Sequence, residues 1–224
     1  MLDVSNNLLT GTIPSTLFQL PLLQAVILSN NCFDQGSSIL PSTVCNASEL
    51  ISLSGDGMGS STQCARLNDP TQRAMAIIHT SLFEGSKNKP ELLDCLFSLP
   101  NIRSIHMAGC GLTGKLPSNL SLTATLTDLV LSHNQLTGTI PLIFQRKSWE
   151  VQLDLGYNKL TGLLDTAPGQ FIAADNGSSV YLENNLLSGD LPEKVLSAQH
   201  LSILDGNIFN CDSSSPVKRR KTLP

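Results

Sequence analysis

The 224-residue sequence predicts a repeat solenoid, in which short strands stack on one another along the chain. Three observations lead to this prediction. Two leucines stand two residues apart and are followed by asparagine, as in Leu129, Leu131 and Asn134. The same pattern returns 24 residues later at Asn158, and several copies end on glycine and proline. A fixed step of about 20–29 residues is typical of arrays whose stacked units share one core, because a single unit cannot bury its apolar face alone.

The residue types account for each position of the unit. Leu129 and Leu131 point to the same side because side chains alternate along a strand. Asn134 is expected to turn its amide inward and bond backbone groups that would otherwise be buried without a partner. Gly138 suits a backbone position that a Cβ would obstruct. Pro141 fits an irregular segment that has no backbone hydrogen to donate.

The end of the unit has the form L-x-G-x-I/L-P, with clear copies LTGTIP at 9–14, LTGKLP at 112–117, LTGTIP at 136–141 and LSGDLP at 187–192. This ending resembles the plant-type leucine-rich repeats of receptor-like kinases, receptor-like proteins and secreted polygalacturonase inhibitors. The resemblance implies an α/β repeat solenoid, a right-handed superhelix with a parallel β-sheet on its concave face. It also implies that the solenoid binds a partner and performs no catalysis.

Residues 1–64 are predicted to hold the end of a first repeat array. Its third unit is degenerate, with Asp56 in the place of the asparagine. Cys45 and Cys64 stand on either side of this unit. Solenoids of the family that the sequence resembles often end in a cysteine-bearing cap, so the resemblance implies a cap here and a Cys45–Cys64 disulfide.

Residues 65–100 break the repeat pattern and are predicted to form a short helical island that interrupts the solenoid. Asp69 and Pro70 have the residue types of a helix start. The next apolar residues share one helical face: Met75, Ile78 and Leu82. A second apolar run at 92–97 is expected to dock onto the following array. Two strongly degenerate repeats are the alternative interpretation of this segment.

Residues 101–211 are predicted to form a second array that closes in a C-terminal cap. Cys110 takes the asparagine place in its first unit and is expected to be a free, buried thiol. Asn158 and Asn185 are 27 residues apart, three more than the usual step. The surplus is expected to bulge on the outer side of the solenoid.

Charge and hydropathy exclude several classes of partner. The net charge of −4 does not favour nucleic acid or a membrane surface, and no apolar run reaches the roughly 18 residues of a membrane span. No signal peptide or polar cap precedes the first repeat strand, so we expect the sequence to be part of a longer protein. The basic tail 212–224 is predicted to be a solvated linker, with nuclear localisation or anionic-lipid binding as the alternative.

Motifs for catalysis, metals and cofactors are absent from the sequence. The four histidines form no metal pair, no C-x-x-C spacing suggests zinc, and no serine carries a nucleophile motif. We therefore expect neither an enzyme nor a cofactor. Sequons that permit glycosylation begin at Asn46, Asn119 and Asn176.

The candidate binding surface consists of the residues that flank the inward leucines, because these alternate to the concave face. One column across the second array holds His106, Val130, Asp154 and Tyr181. The next two columns hold Ala108, Ser132, Gly156 and Glu183, and then Gly109, His133, Tyr157 and Asn184. Six of these residues form the candidate ligand site: His106, His133, Asp154, Tyr157, Tyr181 and Glu183. Tyrosine is enriched at interfaces, and the carboxylates favour a basic or hydroxyl-rich partner. Exposed strand residues without a function are the alternative.

The leading functional hypothesis is a non-catalytic binding module, part of the extracellular region of a receptor-like membrane protein involved in signal transduction. Its expected partner is a protein, peptide or glycan. The main alternative is a secreted inhibitor or wall-associated repeat protein without a signalling domain, and a cytoplasmic repeat protein is a further one. Recognition of ice or another surface by a flat array is a third class, suggested by one column of threonines: Thr10, Thr113, Thr137 and Thr161.

Overall fold

The computed structural model describes residues 1–33, 38–58, 94–167, 178–192 and 200–210, which form successive turns of a solenoid. The strands of this part, in chain order, are β1 (Leu2–Asp3), β2 (Thr10–Gly11), β3 (Ala25–Ile27), β4 (Cys32–Phe33), β5 (Ser52–Ser54), β6 (Ser104–His106), β7 (Asp128–Val130), β8 (Thr137–Thr139), β9 (Gln152–Asp154), β10 (Lys159–Leu163), β11 (Ser179–Tyr181), β12 (Leu186–Gly189), β13 (His200–Ser202) and β14 (Ile208–Phe209). Its helical elements are the 3₁₀ helices η1 (Ser15–Gln19), η2 (Ser42–Asn46) and η3 (Asp94–Ser98) and the short α-helix α1 (Leu142–Gln145).

Eight strands form one parallel sheet in the order β1-β3-β5-β6-β7-β9-β11-β13. Its register aligns one inward residue from each turn: Leu2, Val26, Leu53, Ile105, Leu129, Leu153, Val180 and Leu201. These residues belong to or pack against a single core that runs along the solenoid. The predicted solenoid and its parallel sheet are therefore confirmed. The side of this sheet that points away from the core is called the concave face below.

Helical elements and aromatic rings close the core on the opposite side of the turns. Phe97 of η3 and Phe144 of α1 meet edge to face with ring centroids 5.4 Å apart. Trp149 is fully buried, and its indole Nε1 donates a hydrogen bond to the carbonyl oxygen of Phe144 at 3.0 Å. The indole thus fills space between turns without leaving its one polar group unpaired.

Asn134 joins two turns through backbone groups, as its position in the repeat predicts. Its side-chain amide makes five hydrogen bonds of 2.8–3.1 Å: Nδ2 donates to the carbonyls of Met107, Leu131 and Ser132, and Oδ1 accepts from the N–H groups of Cys110 and Leu112. Asparagines in the other regular turns bond in the same manner: Asn31, Asn158, Asn185 and Asn207. Buried loop carbonyls and N–H groups thereby find partners.

Met58, rather than Asp56, occupies the asparagine place of the third turn, and the assignment made from the sequence is wrong. Ser54 pairs with His106, which moves Asp56 two positions earlier in the repeat, onto the concave face. Met58 is fully buried in its stead. A Cβ on Gly55 would stand 2.5 Å from the Met58 Cε. Glycine in place of the usual inward leucine therefore makes room for the longer side chain.

The insertion between the third and fourth turns does not interrupt the sheet. β5 pairs directly with β6 in the same register as the other neighbouring strands. Most of the predicted helical island, including Met75, Ile78 and Leu82, lies outside the described residues. At its end η3 buries Leu96 and Phe97 in the common core. The two repeat arrays expected from the sequence thus share one sheet and one core.

Cys45 is bonded to Cys95, so the expected Cys45–Cys64 pairing is wrong. The physical reason is the β5–β6 contact, which brings η2 and η3 onto neighbouring turns and their cysteine Cα atoms to 5.4 Å. Cys32 is also disulfide-bonded. Cys110 is a free, buried thiol, as predicted, and its Sγ donates to the carbonyl of Gly55 at 2.9 Å. Burial raises the pKa of this thiol.

The second sheet has the order β14-β12-β10-β8, with β2 and β4 forming a separate pair. Thr137 pairs with Lys159, and Thr161 pairs with Thr139. Thr137 and Thr161, which are equivalent residues of successive turns, are therefore displaced by two residues across this sheet. They do not lie side by side, as the row predicted for Thr10, Thr113, Thr137 and Thr161 required of them.

Candidate functional site

The concave face presents the columns predicted for the second array. His106 pairs with Val130, Val130 with Asp154, and Asp154 with Tyr181 across neighbouring strands. The eight described strands of this sheet contain no lysine or arginine. Carboxylates without lysine or arginine beside them on these strands therefore dominate the charge of this face.

His106 and Asp128 form a hydrogen-bonded ion pair across two strands. The Nε2 of His106 lies 2.7 Å from Asp128 Oδ2, which also accepts a bond from Ser104 Oγ at 3.0 Å. The bond to Asp128 raises the pKa of His106, although burial opposes this effect. Burial alone would raise the pKa of Asp128, but the bonds from His106, Ser104 and Gln152 outweigh it and lower that pKa.

Asp154 and Glu183 approach each other beside Gly156. Asp154 Oδ1 accepts a hydrogen bond from the backbone N–H of Gly156 at 3.1 Å. Burial raises the pKa of Asp154, against the bonds it receives from Ser132 and Gly156. A Cβ on Gly156 would stand 3.2 Å from the Glu183 carboxyl and 3.4 Å from Asp154, so glycine leaves room for both acids. Among the described atoms, Glu183 Oε2 is buried and has no hydrogen-bond partner.

His133 and Tyr157 stack on each other at the edge of the concave face. Their ring centroids are 4.2 Å apart and the ring planes differ by 12°. Tyr157 keeps 44% of its surface exposed. Both residues adopt left-handed backbone conformations, with φ of 57° and 54°. Neighbouring rungs of a parallel sheet lie about 4.8 Å apart, so this shared backbone conformation aims the two rings in parallel.

The structure brings some of the six predicted residues together and leaves others apart. His133 stacks on Tyr157, and Asp154 faces Glu183. Tyr181 lies half-buried on the same face, but none of the ring contacts of the described residues involves it. His106 instead pairs with Asp128, which the sequence analysis missed. Asp128 could have been found from its position two residues before Val130, since alternation along a strand puts both side chains on one face.

Asp56 is a second concave acid that the sequence analysis missed, because its repeat position was misassigned. Its Oδ1 accepts a bond from the backbone N–H of Ala108 at 2.6 Å. Burial raises its pKa, against that bond. The third, fifth, sixth and seventh turns thus each contribute one carboxylate to this face: Asp56, Asp128, Asp154 and Glu183.

Other predicted features fall outside this surface. Asn46 and Asn119 are exposed, whereas Asn176 lies outside the described residues. Across the ranges that the structure describes, no three His, Cys, Asp or Glu side chains are arranged to hold a metal ion. In the same ranges, no helix has the length and apolar character needed to cross a membrane.

The His106–Asp128 pair should make stability depend on pH. Because the folded pKa of His106 is raised above 6.5, its contribution is present below that pH and is lost as pH rises through the raised pKa. Because the folded pKa of Asp128 is lowered, its contribution is present above 3.8 and is lost as pH falls. We expect His106→Gln to lower the free energy of unfolding by about 1 kcal/mol more near about pH 5 than near about pH 8.

Urea unfolding of both proteins at the two pH values measures this difference. The matched control is His200→Gln, since His200 lies exposed at the end of the same sheet. An equal pH response of the two variants would contradict the role assigned to the pair.

Both the sequence and the fold of this chain are similar to those of known proteins. The profile described as "Leucine Rich Repeat" matches residues 1–20, 101–122 and 125–146. "Receptor-like protein 18" of Arabidopsis thaliana is 30% identical over 215 residues, which are 94% of this chain and 21% of that protein. The chain thus spans about a fifth of the length of that relative.

Two solved structures resemble the fold over nearly the whole chain. The Arabidopsis receptor kinase HAESA, solved in complex with the peptide hormone IDA and the co-receptor SERK1, has a TM-score of 0.58 at 27% identity, covering 93% of this chain and 33% of that one. The leucine-rich repeat ectodomain of GASSHO1/SCHENGEN3 from Arabidopsis thaliana, in complex with CASPARIAN STRIP INTEGRITY FACTOR 2, has a TM-score of 0.57 at 24% identity. That match covers 92% of this chain and 24% of the ectodomain chain.

Proposed function

We propose, from the premise that this chain is a plant-type leucine-rich repeat protein, that it is a stretch of the ligand-binding ectodomain of a receptor-like protein. Its location is the cell surface or the extracellular space, and its partner is a peptide or an extended segment of a protein. The proposal includes no catalytic step and no cofactor.

The observation that carries the proposal is the stacked pair His133–Tyr157 beside the concave carboxylates. Tyr157 is 44% exposed although it is aromatic and sits in a closely packed array. A ring held by a stacking neighbour loses little conformational freedom when a ligand covers it, which favours a binding contact. The carboxylates of Asp154 and Glu183 supply charge close to this ring pair.

The character of the concave face suits a peptide with basic residues. The strands of this sheet that the structure describes carry acids but no lysine or arginine. Complementary charge steers association and suppresses partners of the wrong sign. Support also comes from the relatives: the HAESA structure named above holds a peptide hormone, and its fold covers most of this chain.

The test is selection from a phage-displayed library of random linear peptides on the purified protein. Asparagine already occupies the equivalent position of other turns, at Asn6, Asn30 and Asn184, with φ near 55°. His133→Asn and Tyr157→Asn therefore remove both rings without backbone strain. We expect peptides selected on the native protein to bind the double variant at least about tenfold more weakly. Thr137→Asn with Thr161→Asn is the control, since both threonines are exposed on the second sheet.

Two results would contradict the proposal. Failure of the native protein to enrich any peptide family would overturn the binding function. Undiminished binding by the His133→Asn, Tyr157→Asn variant, with an unchanged melting temperature, would move the site away from the stacked rings.

A further inference from the structure

One edge of the concave face is a ledge of residues in left-handed backbone conformation, one from each of the first seven described turns: Asn6, Asn30, Gly57, Gly109, His133, Tyr157 and Asn184. The backbone N–H of each donates to a carbonyl of the next turn, at 2.7–3.0 Å, so the ledge is continuous. Asn30 Nδ2 donates to Asn6 Oδ1 at 2.9 Å, and His133 stacks on Tyr157. Side chains therefore touch along the ledge at both ends, while its middle holds two glycines.

The space over Gly109 is an open notch in this ledge. A Cβ on Gly109 would meet no atom of the described residues within 4 Å. Over Gly57 the situation differs, because a Cβ there would stand 2.7 Å from Asn30 Oδ1. The side chain of Asn30 thus covers Gly57, and the notch lies between Asn30 and His133.

An aromatic ring forms one wall of the notch. Gly109 and Tyr157 belong to the turns on either side of His133. Since Tyr157 covers one face of the imidazole at a centroid distance of 4.2 Å, the other face is directed towards Gly109. The rung of Gly109 carries no side chain, so His133 and the Asn30 side chain over Gly57 stand two rungs, about 9.6 Å, apart. That distance leaves room for one planar group.

A carboxylate lies beside the notch. The side chain of Asp56 accepts a hydrogen bond from the N–H of Ala108, the residue before Gly109. A group entering the notch therefore meets a flat ring on one side and the negative charge of Asp56.

We propose that the notch binds an arginine side chain of the peptide ligand, an inference that rests on the function proposed above. The guanidinium group is planar and stacks on aromatic faces, and it donates up to two parallel hydrogen bonds to a carboxylate. Lysine lacks the plane, and an aromatic side chain lacks the charge. The guanidinium group stacks on the His133 ring and donates hydrogen bonds to the Asp56 carboxylate. Tyr157 stacks on the opposite face of the imidazole and fixes its orientation.

Gly109→Asn fills the notch while preserving the backbone. Asn6, Asn30 and Asn184 adopt φ of 53–56° in the same position, close to the 63° of Gly109. A Cβ on Gly109 has no described atom within 4 Å. We therefore expect an unchanged melting temperature. Asn6→Gly, at the far end of the ledge, is the matched control for the change in side chain.

The experiment uses peptides from the library selection on the native protein. We expect one position to be enriched in arginine, and replacement of that arginine by lysine or citrulline to weaken binding at least about tenfold. Gly109→Asn should cause a similar loss, and Asn6→Gly none. Asp56→Asn, which keeps an acceptor for the Ala108 N–H but removes the charge, should bring arginine and citrulline peptides to similar affinity.

The outcomes separate this inference from the proposed function. Enriched peptides without arginine, or arginine peptides that bind Gly109→Asn as well as the native protein, overturn the notch assignment and leave the binding function standing. Absence of any enriched peptide overturns the binding function itself.

Discussion

Asn134→Ala is expected to lower the free energy of unfolding by about 3–5 kcal/mol, because it leaves several buried backbone groups without partners. The amide of Asn134 makes five hydrogen bonds to the backbone of its own turn and of the preceding one. The side chain is 5% exposed, so water cannot replace these bonds. Urea or thermal unfolding of the variant measures the loss.

Asn7→Ala is the matched control for this prediction. Asn7 occupies the same repeat position in the first described turn, but it is exposed and donates only to carbonyls of its own turn, those of Val4 and Ser5. Its replacement should cost less than about 1 kcal/mol. Equal losses from the two variants would show that bonds between turns do not stabilise the array.

Asn134→Cys offers an intermediate case. Cys110 stands in the same position one turn earlier and donates from Sγ to the Gly55 carbonyl. A thiol at 134 should therefore satisfy one of the carbonyls but cannot accept from both N–H groups. We expect its loss of stability to lie between that of alanine at 134 and that of the native protein.

Removal of the Cys45–Cys95 disulfide is expected to lower the free energy of unfolding by about 4 kcal/mol. The two cysteines are separated by 50 residues, and chain-entropy arguments assign this magnitude to a loop of that length. Because the bond joins η2 to η3 across the insertion, its loss should loosen the pairing of β5 with β6 before other parts of the sheet. Urea titration of the Cys45→Ser, Cys95→Ser variant and of the native protein measures the difference in the free energy of unfolding.

Peptide mapping under non-reducing conditions provides the chemical check. We expect a cross-linked peptide pair that contains Cys45 and Cys95. Recovery of Cys45 linked to Cys64 would instead support the pairing first suggested by the family resemblance. Reduction should still lower the stability of the double variant, since Cys32 is also disulfide-bonded. It should lower the stability of the native protein more, because that protein also loses the Cys45–Cys95 bond.

The regular turns could be predicted because their pattern is local. Alternation along a strand decides whether a side chain points inward, so Leu129 and Leu153 were assigned to the core from spacing alone. The bonding of Asn134 followed from the same spacing. The third turn could not be assigned in this way. Gly55 is smaller than the usual inward leucine, and the longer Met58 fills the space beside it in the asparagine place. Asp56, two residues earlier, was mistaken for the asparagine because of its similar side chain.

For the candidate site, too, the positions of the residues could be predicted from the sequence, whereas their contacts could not. Its concave columns followed from the repeat, and the register confirms that His106, Val130, Asp154 and Tyr181 are aligned. The contacts within it did not, because the stack of His133 on Tyr157 and the bond of His106 to Asp128 depend on side-chain directions across neighbouring turns.

The sequence by itself determined that this protein is a stacked array, which residues its regular turns bury, and that both tyrosines share one face with Asp154 and Glu183. These properties depend on residues a few positions apart, whose directions the strand backbone sets. Only the tertiary structure decided which turns are neighbours across the insertion. That choice made β5 pair with β6, joined Cys45 to Cys95 and placed Asp56 beside Ala108, because contacts between turns depend on distances in space and not along the chain.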